Sequence, residues 1–125
     1  MAKRVLIDDD DHDTHVFIAD LLEMYGYKAD CVHSTDVAQE VIHRERPDFL
    51  ILDLHIERPY AGWLLLQQLR TDPATAEIPA VLATSDQEFV RTHKRAVQAL
   101  RGDVLEKPFA MEKLVEVVKE KVKPE

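Results

Sequence analysis

The chain has 125 residues, 46% hydrophobic and 32% charged, with three glycines and six prolines, a profile that fits one ordinary globular domain over residues 1–125 and excludes a disordered or fibrous chain. Its 24 acidic and 16 basic residues leave a formal charge of −8, which repels phosphate backbones, argues against direct nucleic-acid binding and favours a cationic partner or a metal ion. Cys31 is the only cysteine, so no internal disulfide forms and the residue reads as a small buried hydrophobe on a strand. With no apolar signal core after Lys3-Arg4 and no run near the ~20 apolar residues of a membrane span, a cytoplasmic protein with no membrane contact is expected.

Short apolar runs alternate with longer amphipathic ones along the chain. Val5 to Ile7 predicts a first strand, ending in Asp8-Asp9-Asp10-Asp11. Phe17, Ile18, Leu21, Leu22 and Tyr25 then recur at helical spacing up to Gly26, a residue suited to the left-handed stop after a helix. Lys28 to His33 predicts a second strand, and Ser34 or Thr35 can cap a helix that buries Val37, Ala38, Val41 and Ile42 before Pro47. Phe49 to Leu52 is continuously apolar, as in a central parallel strand covered on both faces, and stops at Asp53. A helix from near Gly62 carries Leu65, Leu66 and Leu69 to Asp72-Pro73.

The fourth strand is expected over Ile78 to Ala83, with Pro79 near its start. Gln87 to Leu100 places Val90, His93, Val97 and Leu100 on one helical stripe, where His93 reads as a packing residue. Val104-Leu105 makes a short fifth strand, and Met111, Leu114, Val115, Val118 and Val122 line a last helix. Five strands alternating with five helices predict an α/β fold, a doubly wound five-stranded parallel sheet for which 2-1-3-4-5 is one established order.

Ligands of such a sheet bind beyond the carboxyl ends of its strands. Those ends carry the Asp8 to Asp11 run, Asp53, Thr84-Ser85 and Glu106-Lys107-Pro108. Crowded carboxylates resist joint ionisation unless a cation neutralises them, and an all-oxygen set without His or Cys spacing points to a hard ion such as Mg²⁺. Thr84 can donate a hydrogen bond and Lys107 can supply positive charge to a phosphoryl oxygen, while Asp53 can act as the nucleophile that forms an acyl phosphate.

In that order, "VLIDDDDHD", "FLILDLHI", "IPAVLATS" and "VLEKPF" resemble the receiver domain of bacterial two-component response regulators, from Lys3 to about Val122. The resemblance implies the flavodoxin-like order 2-1-3-4-5 and a Mg²⁺ held by Asp9, Asp10, Asp53 and the backbone carbonyl of His55. It further implies phosphoryl transfer from a sensor histidine kinase or phosphotransfer protein to Asp53, assisted by Thr84 and Lys107. Counting back from Gly26 favours Asp9 and Asp10 as the acidic pair, with Asp8 and Asp9 as the rival register. Asp11 and Asp13 are then solvated or capping residues, and His12 a surface residue at the pocket rim.

The chain departs from the family's pattern at several points. Asp8 stands where an apolar residue is customary, and the loop Leu54 to Gly62 is about one residue longer than usual. His55 and Asp86 occupy the positions that tune dephosphorylation in the family. Val104 replaces an aromatic whose rotation follows the Thr in many members, so switching is expected through the Thr84 loop and the fourth helix. A stand-alone receiver is expected, since the chain ends soon after the fifth helix. It would catalyse its own phosphorylation and dephosphorylation without turning over an external substrate, and would bind an output protein through the face of helix 4, strand 5 and helix 5, or form a homodimer when phosphorylated. The alternatives are a phosphorylation-independent interaction module, or a Mg²⁺-dependent phosphohydrolase; the latter often has a second Asp where this chain has His55.

Overall fold

Apolar runs bounded by carboxylates, glycines and prolines become five strands in the computed structural model, which describes residues 2–124, the side chain of His12 excepted. These are β1 (Arg4–Asp8), β2 (Lys28–Val32), β3 (Phe49–Asp53), β4 (Ala80–Thr84) and β5 (Gly102–Glu106). Between and after them lie α1 (His12–Met24), α2 (Thr35–Glu45), α3 (Ala61–Arg70), α4 (Gln87–Ala99) and α5 (Met111–Lys121). All neighbouring strands pair parallel in the order β2-β1-β3-β4-β5, the doubly wound arrangement expected from the alternation.

The period-2 alternation of strand side chains divides the core into two. Leu6, Leu50, Leu52 and Leu82 face Ala38 and Ile42 of α2, Leu65, Leu66 and Leu69 of α3, and Phe89 and Val97 of α4. Val5, Ile7, Phe49, Ile51, Val81 and Leu105 face Ile18 and Leu22 of α1 and Leu114 and Val118 of α5. With helices on both faces, the carboxyl ends of β1 and β3 form the crevice where connections depart to opposite sides.

Helix ends follow local chemistry. Ser34, not Thr35, caps α2 by accepting from Val37 N–H, and Asp86 caps α4 by accepting from Phe89 N–H. Gly26 adopts φ +94° just after α1, a conformation that side-chain-bearing residues rarely take.

Several details differ from the sequence expectation. On α1 the buried stripe is His15, Ile18 and Leu22, and Phe17 and Tyr25 are exposed, because at about 100° per residue only i, i+3 and i+7 stay on a narrow face. Val37 is exposed for the same reason, since α2 turns Ala38 and Ile42 inward. β4 begins at Ala80 because Pro79 has no N–H to give and joins the ladder only as an acceptor from Leu50 N–H. Cys31 lies on β2 but is half-buried.

The α4 stripe runs through His93, Val97 and Leu100 as expected, but Phe89, not Val90, is its fully buried first anchor, with Val97 two turns on. Its ring stacks on half-buried His93 at 4.5 Å and meets Trp63 edge-on at 6.1 Å. Truncation of Phe89 to alanine is expected to destabilise the fold by about 3–5 kcal/mol, read as a shifted midpoint in urea unfolding; a loss below about 1 kcal/mol would show that α4 is not anchored there.

Candidate functional site

The acidic run at the end of β1 is separated by backbone geometry. Asp8, the last β1 residue, lies on the Leu6 side of the strand, whereas Asp9 lies beyond the strand on the other side. Asp9 is 4% exposed; its Oδ1 accepts from Asp11 N–H at 2.9 Å and its Oδ2 lies 3.3 Å from Lys107 Nζ. The same ammonium is 3.6 Å from Asp53 Oδ2. Asp9, Asp10 and Asp53 each bring a carboxylate oxygen within 4.8 Å of one another. Asp8 is not in that trio.

Asp53, half-buried at the end of β3, has its carboxyl pushed above the usual range by burial, an effect opposed by Lys107 and reinforced by Asp9. The His55 backbone N–H also favours its ionised form. Beneath it, α3 begins so close that a Cβ on Gly62 would lie 2.3 Å from the Asp53 carbonyl oxygen; sequence reading treated Gly62 only as a helix start.

Thr84, 2% exposed at the end of β4, accepts from Asp86 N–H through Oγ1 at 3.0 Å, which leaves its hydroxyl hydrogen to donate elsewhere. Lys107 N–H in turn donates to the Thr84 carbonyl at 2.9 Å, and the Lys107-Pro108 bond is cis. His55 and Asp86 pair across the mouth at 2.9 Å. Because His55 Nδ1 accepts from Tyr60 N–H at 2.9 Å, Nε2 carries the proton and donates to Asp86. Phe89 N–H, then His55, hold the Asp86 carboxyl below the usual range.

Asp11 caps α1, accepting from Thr14 Oγ1 at 2.8 Å and from the N–H groups of Asp13 and Thr14; its bonds with Thr14 hold its carboxyl low. Asp13 is exposed in the first turn. The rim position expected for His12 lies outside the described residues. Val104, paired with Leu82, is half-buried against the α2/α3/α4 core.

Sequence reading missed His15 at the site and marked Asp8 only as a departure from the family's pattern. His15, 1% exposed, donates from Nε2 to the Asp9 carbonyl at 2.5 Å and so fixes the backbone of the acidic turn. Its spacing of three and seven from Ile18 and Leu22 was the available signal. Asp8 is 1% exposed with an unpartnered Oδ1, and burial, then the charge of Glu57, push its carboxyl up to about 8.

The model of the response regulator receiver domain matches residues 5–119. The chain is 31% identical over 115 residues to the response regulator MprA of Mycobacterium ulcerans, covering 92% of this chain and 48% of that protein. It thus spans about half the length of the curated relatives it matches. A solved putative response regulator from Chloroflexus aurantiacus superposes with a TM-score of 0.84 at 28% identity, over 96% of this chain and 97% of the other. The receiver domain of the sensor histidine kinase PA1611 from Pseudomonas aeruginosa, solved with a magnesium ion in its active-site cleft, shares the fold with a TM-score of 0.81 at 20% identity, over 97% and 98% of the two chains. Among the described residues, no helix is long and apolar enough to cross a membrane. With the family model matched from β1 into α5, the chain belongs to the response regulator receiver domains of two-component signalling.

Proposed function

We propose that this receiver is a Mg²⁺-dependent phosphoacceptor in the cytoplasm, with Asp53 as the phosphorylated residue. The observation that carries the reading is the convergence of Asp9, Asp10 and Asp53 oxygens within 4.8 Å, with Lys107 Nζ 3.3 and 3.6 Å from two of them. That all-oxygen donor set fits a hard divalent ion, and Asp9, Asp10, Asp53 and the His55 carbonyl would hold it. When bound, Mg²⁺ supplies positive charge against the phosphoryl oxygens.

The protein's own groups do the rest. An Asp53 carboxylate oxygen forms the new O–P bond as the N–P bond of a partner's phosphohistidine breaks, and the bonding electron pair leaves with the imidazole nitrogen. Lys107 opposes the effect of burial on the Asp53 carboxyl and so favours its ionised form, then faces the incoming phosphoryl group, while the Thr84 hydroxyl is free to donate to one of its oxygens. The partner is a sensor histidine kinase or phosphotransfer protein.

Incubation with a small phosphodonor and Mg²⁺ is expected to add one hydroxylamine-labile phosphoryl group per chain, seen by intact mass. The adduct is expected to disappear in excess chelator and in Asp53→Asn. An unmodified wild-type chain would contradict the reading.

Output follows from the Thr84 bonds. A phosphoryl group that draws the Thr84 hydroxyl disturbs the Asp86 N–H bond, and Asp86 caps α4 and pairs with His55. With Val104 in place of an aromatic, the change passes into α4 through Asp86 and Phe89 and alters the α4/β5/α5 face that binds the output protein. A phosphate mimic is expected to shift amide signals of residues 85–105, and unchanged signals there would contradict this route.

A further inference from the structure

We propose, resting on the phosphoacceptor reading, that Tyr60 is an aromatic strut that holds α4 in its unphosphorylated position and is released when Asp53 is phosphorylated. The loop between β3 and α3 places two side-chain-bearing residues at left-handed φ, Glu57 at 63° and Tyr60 at 62°. Such residues keep that conformation only where surrounding contacts impose it, and they gather at switch regions.

Two rings and one hydrogen bond hold Tyr60. Its ring meets His55 edge-on at 4.9 Å and lies 5.9 Å from the ring of Phe89, both within the range over which aromatic pairs attract. Its N–H donates to His55 Nδ1 at 2.9 Å. The Tyr60 side chain makes no cap bond to α3, so the ring serves the loop and α4 and not its own helix. Phe89 carries the contact inward, being 2% exposed, stacked on His93 at 4.5 Å and edge-on to Trp63 at 6.1 Å. His55, Tyr60, Phe89 and His93 thus form a continuous run of ring contacts from the mouth of the site to the middle of α4.

Asp86 is the residue that opens this run. It donates its N–H to Thr84 Oγ1 at 3.0 Å, accepts from Phe89 N–H through Oδ1 at 3.0 Å and accepts from His55 Nε2 through Oδ2 at 2.9 Å. His55 is tied to the end of β3 just beyond Asp53, so an Asp86 that follows the Thr84 hydroxyl toward a phosphoryl group lengthens its bond to His55. A His55 ring freed from Asp86 turns Nδ1 away from the Tyr60 N–H, and Tyr60 loses its backbone bond and its ring contact together. A strut made only in the unphosphorylated arrangement opposes phosphoryl binding by as much as it stabilises that arrangement.

The test is the affinity of the full chain, with Mg²⁺, for beryllofluoride, a mimic of the phosphoryl group, read by fluorine NMR of the bound mimic. Tyr60 is 44% exposed and belongs to neither buried core, so its truncation leaves both cores and the acidic cluster in place. Tyr60→Ala is expected to bind the mimic about three- to tenfold more tightly than the wild type, the factor that follows from losing one aromatic pair. Tyr60→Phe, which keeps the ring, is expected to stay within about twofold of the wild type. Unchanged or weaker binding by Tyr60→Ala would overturn the strut and leave the phosphoacceptor reading intact, because a ring that only packs, or that favours the phosphorylated arrangement, gives that result. A wild-type chain that binds no mimic would overturn the phosphoacceptor reading and the strut with it.

Discussion

Gly62→Ala is expected to lower stability by roughly 2–4 kcal/mol and to reduce phosphorylation of Asp53 at least tenfold. The new Cβ would stand 2.3 Å from the Asp53 carbonyl oxygen and 3.1 Å from both the Asp53 carbonyl carbon and the Leu54 Cα. These are backbone atoms of the strand that presents the phosphoacceptor, so relief requires α3 and β3 to separate. Gly62 N–H donates to the Leu54 carbonyl at 2.9 Å, so separation also weakens that bond. Alanine's better helix propensity offsets no more than about 1 kcal/mol. Gly102→Ala is the control: its Cβ would meet side-chain carbons of Val97 and Leu66 at 3.0 and 3.2 Å, which can shift, and the Val97 carbonyl oxygen only at 3.3 Å, against 2.3 Å for the backbone oxygen at Gly62, so a smaller loss, about 1 kcal/mol, is expected. Urea unfolding and phosphodonor labelling of both variants check this, and equal behaviour would remove the close approach as the reason for Gly62.

Asp8→Val is expected to stabilise the protein at pH 8 by about 3 kcal/mol or more in the absence of divalent ions, and by much less at pH 5. The Asp8 carboxyl rises from 3.8 to about 8 on folding, through burial first and Glu57 second. The folded chain therefore keeps a proton that the unfolded chain releases over that interval. Stability contributed by Asp8 is present in full below about pH 4 and is lost as pH climbs toward 8, by about 1.4 kcal/mol per unit. Valine removes the group without leaving an unpaired polar atom and fits the leucine-rich side of β1. The expected readout is a difference in unfolding free energy between variant and wild type that grows from pH 5 to pH 8. A difference that stays flat would mean that Asp8 is ionised in the fold and compensated by groups already present.

Most of the architecture was legible because it depends on local pattern. Phe49 to Leu52 could only be a doubly covered strand, and the carboxylates, Thr84 and Lys107 fell at strand ends because parallel strands finish on one edge. What escaped depended on rotation and proximity. Phe89 and Val90 are adjacent and both apolar, and the choice between them was made by the Asp86 cap, which fixes the first turn of α4. Phe17 was read as core because an apolar residue can remain exposed without penalty large enough to mark it. His15 looked like a polar interruption until its ring was seen to hold the Asp9 carbonyl. Asp8 was legible as an anomaly, but its neighbour Glu57 is 49 positions away in the chain and joins it only through the fold.

The central claim is that Asp53 receives a phosphoryl group, and peptide-level mapping tests it most directly. The full chain is incubated with Mg²⁺ and a small phosphodonor, then treated with borohydride, which reduces an aspartyl phosphate to homoserine. Conversion of Asp53 alone, absent without Mg²⁺ and absent in Asp53→Asn, is the expected result. A chain left unconverted, or converted at Asp9, Asp10 or Asp8 with Asp53 intact, would contradict it.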